Sequence, residues 1–205
     1  MPGNFVRNFL TKFLMECSIY LCDKLIVNSN FAKKEIEQKL KLKNKKIKKI
    51  YLGIEKIYLE KSNKYYLNKF NYKQQYILSV ISCVKYHNIK NLILAYRNLK
   101  SKNEINHKFV IVMQVLDKEY FSLIQELIKN NDLSNEVIIF KNLDHNFLQN
   151  LYKNSKLYIF SSYSEVFGLT TLEAMSNKCN VLISNHSSLP EINSDAADYF
   201  DPDKI

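Results

Sequence analysis

No stretch of this sequence approaches the roughly 20 consecutive apolar residues that a membrane span requires. Its most apolar opening, Met1 to Asp23, is interrupted by Arg7, Lys12, Glu16 and Asp23, so neither a transmembrane helix nor a signal peptide is expected there. Cysteine is sparse and scattered: Cys17, Cys22, Cys83 and Cys179 form no short couple beside a histidine, which excludes a zinc set and makes a disulfide framework implausible. A reducing cytoplasm is the expected compartment, and no metal or other cofactor is expected. Tryptophan is absent and glycine is confined to Gly3, Gly53 and Gly168. With the abundance of Lys, Asn, Ile and Tyr, this is a compositional bias that carries no functional information. There is no internal repeat, and the lysine-rich run Lys41–Lys49 is the one low-complexity segment. No nucleic-acid motif or aromatic platform is present, so nucleic acid is not an expected partner despite the charge.

What is present suffices for a core. The chain has 205 residues, 46% of them hydrophobic and 13% aromatic, which suits one domain plus part of another. Thirty basic against twenty acidic residues give a net charge of +10, which favours anionic partners such as phosphorylated metabolites or an acidic membrane surface. Residues 1–64 hold fifteen basic and six acidic residues, a surplus of nine, so the remainder is close to neutral. The Lys41–Lys49 run reads as a solvated linker, with peripheral contact at a membrane surface as the second reading.

Two segments meet near Gly53. Before it lie a helix with an apolar face (Phe5, Phe9, Leu10, Phe13), a short strand Leu25-Ile26-Val27, and a second helix opened by the capping run Asn28-Ser29-Asn30. From Tyr76 onward apolar runs alternate with amphipathic ones. Strands are predicted at 76–81, 109–113, 137–140, 157–160, 181–184 and near Tyr199. Helices are predicted at 89–99, 118–129, 146–153 and 170–177, with a short turn at 189–192. Strands apolar on both faces and alternating with helices imply an α/β, Rossmann-like parallel sheet covered on both sides, with ligands at the carboxyl ends of its strands.

The chemistry concentrates in Ser161 to Met175. A strand ending at Phe160 feeds a polar loop that closes on Phe167-Gly168, and a helix begins at Leu169 or Thr170. Gly168 lets backbone approach a ligand, and the amides of Leu169, Thr170 and Thr171 at a helix start suit a phosphate. Glu173, one turn in, can accept hydrogen bonds from the vicinal hydroxyls of a ribose, while Glu165 sits on the loop side.

The run Glu165-Val166-Phe167-Gly168 through Glu173-Ala174-Met175 resembles the E-x-F-G-x-x-x-x-E-A-M signature of family 4 retaining glycosyltransferases of the GT-B type. Asp23 to Phe31, Tyr51-Leu52-Gly53-Ile54-Glu55, Asn88 to Ile93, Ser187-Ser188-Leu189-Pro190-Glu191 and Tyr199-Phe200-Asp201-Pro202 resemble further landmarks of that family, in order. The resemblance implies residues 1–57 as a remnant of the amino-terminal acceptor domain and linker, and 58–205 as a nucleotide-sugar-binding domain. It implies Glu165 as the catalytic residue near the donor sugar. Glu173, Phe167, Gly168, Leu169 and Thr170 would bind the donor, and no metal is required. The expected function is retaining sugar transfer to a glycan or lipid acceptor by a truncated or split protein, inactive in isolation and completed by an acceptor-domain partner. The alternative is an inactive remnant or partner subunit.

The sequence departs from the family where an Arg and a Lys are usual, because those positions fall on Ser82 and His87, with Lys85 nearby. These three are the candidate phosphate contacts. Glycines usual in the family are replaced by Ile81, by a residue near Met113 and by Lys178, so a narrowed pocket is expected.

Overall fold

A computed structural model describes residues 2–40, 47–54 and 75–204. The expected boundary at 57/58, residues 41–46 of the lysine run, Glu55 and the side chain of Phe5 lie outside the described residues. The chain divides into two compact units, 1–52 and 53–205.

In the first unit, α1 (Pro2–Leu21), β1 (Leu25–Val27), α2 (Asn30–Leu40) and β2 (Ile47–Lys49) follow in order, with β1 and β2 paired in parallel from Leu25↔Ile47 to Val27↔Lys49. Of the expected capping run it is Ser29 that caps α2: buried, its Oγ accepts the Ala32 amide at 3.0 Å. Residues 47–49 of the lysine run are strand rather than linker. The reason is local: Ile47 is buried at the start of the pairing, while Lys48 stays exposed on the edge. On α1 the side chains of Phe9 and Phe13 are exposed.

The second unit is a six-stranded, all-parallel sheet flanked by helices. Its elements are β3 (Tyr76–Cys83), α3 (Ile89–Ser101), β4 (Lys108–Val115), α4 (Lys118–Asn130), β5 (Val137–Lys141), α5 (His145–Asn154), β6 (Leu157–Phe160), α6 (Leu169–Ser176), β7 (Val181–Ser184), α7 (Leu189–Asn193) and β8 (Asp198–Phe200). Every predicted strand and helix of this unit is present. Asp117 and Asp144 start α4 and α5 by accepting the amides of Tyr120 and Phe147, each at 2.9 Å.

The spatial order is β5-β4-β3-β6-β7-β8. The chain builds outward from β3 through β4 to β5, then returns to the other side of β3 to lay down β6, β7 and β8. The reversal makes the β3/β6 seam the switch point, where ligands bind in sheets of this kind. The two ladders of β3 differ. It pairs with β4 over its whole length, Tyr76↔Lys108 to Cys83↔Val115, but with β6 only at Ile77↔Leu157 and Leu78↔Tyr158. Beyond those two rungs the strands have no ladder between them, and a crevice opens at their carboxyl ends.

Candidate functional site

Two loops and one helix start surround that crevice. After β3 comes a short 3-10 turn, Lys85–His87, ending at Asn88, whose backbone is left-handed (φ 60°) and whose Nδ2 donates to the Pro202 carbonyl at 3.0 Å. After β6 comes the loop 161–168. The loops are stitched together: Ser161 Oγ donates to the His87 carbonyl at 2.8 Å, and the Tyr163 amide donates to the Tyr86 carbonyl at 2.8 Å. A third segment, following β7, holds Glu165 by its backbone. The Glu165 amide donates to Ser187 Oγ at 2.8 Å, and Ser188 Oγ donates to the Glu165 carbonyl at 2.9 Å.

Gly168 is required twice over. It opens α6 at φ 83°, and a Cβ there would lie 2.7 Å from Leu189 Cδ2. No side chain caps this helix start. The Thr171 amide is taken by the Gly168 carbonyl at 3.1 Å, so of the three amides expected to face a phosphate, Leu169 and Thr170 are the two without an acceptor among the described residues.

The crevice encloses a cavity of about 390 Å³, within the usual range for small-molecule sites of roughly 300–1,000 Å³. Ser82, His87, Glu165, Gly168, Leu169 and Thr170 line it, together with Gln114 at the carboxyl end of β4 and Asn142 and Leu143 just after β5. Six of the nine residues singled out from the sequence therefore meet around one space. Three do not line it: Phe167 is buried, Lys85 is exposed, and Glu173 lies one turn further along α6. Ile81 lines the cavity at a position where glycine was expected and Met113 lines it near another, yet the cavity persists. Lys178, where glycine was expected, adopts φ 63° just after α6, a backbone conformation that favours glycine.

Among the described residues the lining contains no lysine or arginine, so the imidazole of His87 is its one candidate cation. His87 is nearly fully buried and bonded on both nitrogens: Nδ1 lies 2.7 Å from the Ser82 carbonyl and Nε2 lies 3.0 Å from Glu165 Oε1. A carbonyl can only accept, so Nδ1 carries a proton. The second contact needs a proton as well, held either by Nε2 or by the carboxyl.

Two contacts escape sequence reasoning. Tyr152 and Tyr158 fall at core positions and are fully buried, but the Tyr152 hydroxyl donates to Glu173 Oε2 at 2.9 Å and that of Tyr158 to Thr170 Oγ1 at 2.8 Å. Burial raises the Tyr158 phenol well above its ordinary range, so it stays neutral. Cys83 at the end of β3 is also inert, its thiol pushed up to about 11 mainly by burial. Outside the crevice His186, Asp201 and Asp203 bring one ligand atom each within 4.8 Å of one another. Both oxygens of Asp201 are engaged there, by the Asp203 amide at 3.0 Å and the Lys204 ammonium at 3.3 Å.

A parallel sheet with a switch-point crevice rimmed by a glycine-opened helix defines a Rossmann-like domain of the kind that forms half of a GT-B glycosyltransferase. The model of the family Glycosyl transferases group 1 matches residues 66–201, and the chain belongs to that family. It is 23% identical over 203 residues to the O-antigen chain mannosyltransferase RfbU of Salmonella typhimurium, which covers 98% of this chain and 53% of that protein. The chain thus spans about half the length of that curated relative. Solved structures of similar fold include a glycosyltransferase from Rickettsia africae ESF-5, at 24% identity and TM-score 0.78 over 89% of this chain and 50% of that one. Anabaena Alr3699/HepE in complex with UDP and glucose is also similar, at 17% identity and TM-score 0.74 over 88% of this chain and 50% of that one. No helix among the described residues is long and apolar enough to cross a membrane.

Proposed function

We propose that this chain supplies the donor-binding domain of a family 4 type, retaining glycosyltransferase that moves a hexose from a nucleotide sugar to a glycan or lipid acceptor. The observation that carries the reading is the cavity at the β3/β6 switch point, lined by Glu165, His87 and the open start of α6. Mannose is the proposed sugar, because the curated relative is named a mannosyltransferase. A complex of a similar structure with UDP and glucose supports a nucleotide-linked donor.

In this reading the amides of Leu169 and Thr170 take the donor diphosphate and Glu173 takes the ribose hydroxyls. Glu165 stands by the sugar. Retaining transfer breaks the bond between the anomeric carbon and the diphosphate oxygen and forms one to an acceptor hydroxyl oxygen on the same face, whose proton leaves with the departing diphosphate. Positive charge grows on the sugar and negative charge on the leaving phosphate. Hydrogen-bond donors to that phosphate therefore matter more than a strong base, each lowering the barrier by about 3 kcal/mol. Ser82 and His87 stand where the family usually has cationic side chains, and a proton on His87 Nε2 would supply the charge that Ser82 lacks. No metal is invoked. Acceptor recognition is proposed to lie in a further domain or partner chain, which would work in the cytoplasm or peripherally at a membrane surface.

Calorimetric titration with UDP, GDP and ADP, repeated on Glu173→Ala, tests the reading. Micromolar binding of one nucleotide that weakens in the variant is expected. A folded chain that binds none of them would leave the family assignment as ancestry alone.

A further inference from the structure

Tyr158 occupies the last rung of the short β3/β6 ladder, opposite Leu78, and its ring stacks at 6.3 Å on that of Phe160, two residues along the same face of β6. The side chain is completely buried. Phenylalanine would fill the same space without taking a hydroxyl out of water, and such a hydroxyl must find partners. It reaches two: the Val80 carbonyl at 3.3 Å, beyond the end of the ladder, and Thr170 Oγ1 at 2.8 Å, one residue into α6. Val80 and Thr170 both line the cavity. The phenol has one proton to give, and the two partners differ in kind. A carbonyl only accepts, whereas a hydroxyl both accepts and donates. Given to the nearer partner, the phenol proton leaves the proton of Thr170 without an acceptor among the described residues, on the wall of the cavity.

We propose that Thr170 is a further phosphate-binding residue and Tyr158 its positioning residue: the buried phenol donates to Thr170 Oγ1 and so turns the threonine proton into the cavity, as a donor to an anion at the start of α6. The inference rests on the reading of the cavity as a diphosphate site. Among the described residues the lining holds no lysine or arginine, so an anion there leans on neutral donors, and a hydrogen bond to a charged acceptor is the stronger kind. Donors in series polarise one another, which makes a threonine hydroxyl backed by a phenol a better donor than one standing alone. In the empty site the phenol can instead turn to Val80 and accept from Thr170. An anion selects the other arrangement, because only there does the threonine proton face the cavity.

The test is calorimetry on the full chain with GDP, UDP and ADP, with the affinity of the matching nucleoside measured by ligand-observed NMR. The proteins are wild type, Thr170→Val, Thr170→Ser, Tyr158→Phe and the double variant Thr170→Val/Tyr158→Phe. Thr170→Ala repeats the test should valine unsettle the helix start, since both lack the hydroxyl. For the diphosphate that binds, Thr170→Val is expected to weaken affinity about tenfold, and Thr170→Ser to recover most of that loss. The nucleoside, which has no phosphate, should bind wild type and Thr170→Val alike. Tyr158→Phe should weaken the diphosphate by roughly threefold, and by nothing further once Thr170 is valine. Serine no better than valine, or a nucleoside weakened as much as the diphosphate, would mean that residue 170 acts through shape alone, and would overturn the inference. So would a Thr170→Val that binds the diphosphate like wild type, or losses at 158 and 170 that simply add, with the functional reading left standing. Failure of wild type to bind any nucleotide overturns both together.

Discussion

His87 Nε2 lies 3.0 Å from Glu165 Oε1, joining residues 78 positions apart across the mouth of the β3/β6 crevice. Because Nδ1 of the same ring is committed to the Ser82 carbonyl at 2.7 Å, the glutamate is the partner that settles the other nitrogen.

Exchange at position 165 should separate charge from hydrogen bonding. In Glu165→Gln a carboxamide N–H can still serve Nε2 of a neutral imidazole, so the melting temperature should stay within about 1 °C of wild type. In Glu165→Ala a buried ring nitrogen loses its protein partner, at a cost of about 1–2 kcal/mol. Equal stability of the two variants in denaturant titration would show that the pair contributes nothing to the fold.

At the start of α6, Gly168→Ala faces both a left-handed backbone and the side chain of Leu189, 2.7 Å from the added carbon. A loss of about 2 kcal/mol is expected, together with weakened nucleotide binding as the helix start shifts. Chemical denaturation and titration on one sample measure both.

The far end of the same helix offers the opposite change. Its C-terminus is closed by the Cys179 amide on the Ala174 carbonyl at 3.1 Å and the Lys178 amide on the Met175 carbonyl at 2.9 Å, the paired bonds of a Schellman motif. Lys178 occupies the left-handed position of that motif at φ 63°. Lys178→Gly should therefore stabilise the protein by about 1 kcal/mol, raising its melting temperature by roughly 2–4 °C. An unchanged or lower melting point would contradict this.

Acid sensitivity is expected to trace in part to Glu136. Hydrogen bonds from the Lys100 ammonium at 2.8 Å and then the Lys108 ammonium at 2.9 Å hold its carboxyl below the ordinary value of 4.5. A pKa lowered by folding contributes stability that is complete above the unfolded-state value and lost as pH falls through the folded one. Glu136→Gln should thus cost about 1 kcal/mol at neutral pH, with the two stability curves converging below pH 4 to 5. Parallel curves throughout that range would rule the linkage out.

The α/β order of the second unit was legible because its strands are apolar on both faces and bounded by polar helical segments, as at Phe109 to Met113. The end of β3 was harder to read. The predicted strand stops at Ile81, yet pairing of Ser82 with Gln114 and of Cys83 with Val115 carries it two residues further. A strand within the lysine run was missed because Ile47 is flanked on each side by two lysines, and its burial depends on β1, 22 positions away by the Leu25↔Ile47 register. At the site, the signature from Glu165 to Glu173 announced the helix start and its glycine. It did not announce the destinations of the Tyr152 and Tyr158 hydroxyls. Periodicity assigns a ring to the core without saying where its oxygen points.

The two-rung ladder between β3 and β6 has a mechanical consequence. The ladder between β3 and β6 is the shortest of the sheet, so the loops and helix start above it carry a larger share of the load when the two strands are pulled apart. Whatever bridges the cavity, touching the loop after β3 on one side and α6 on the other, acts as a staple across the shortest ladder of the sheet, and the force needed to part β3 from β6 should report occupancy of the site.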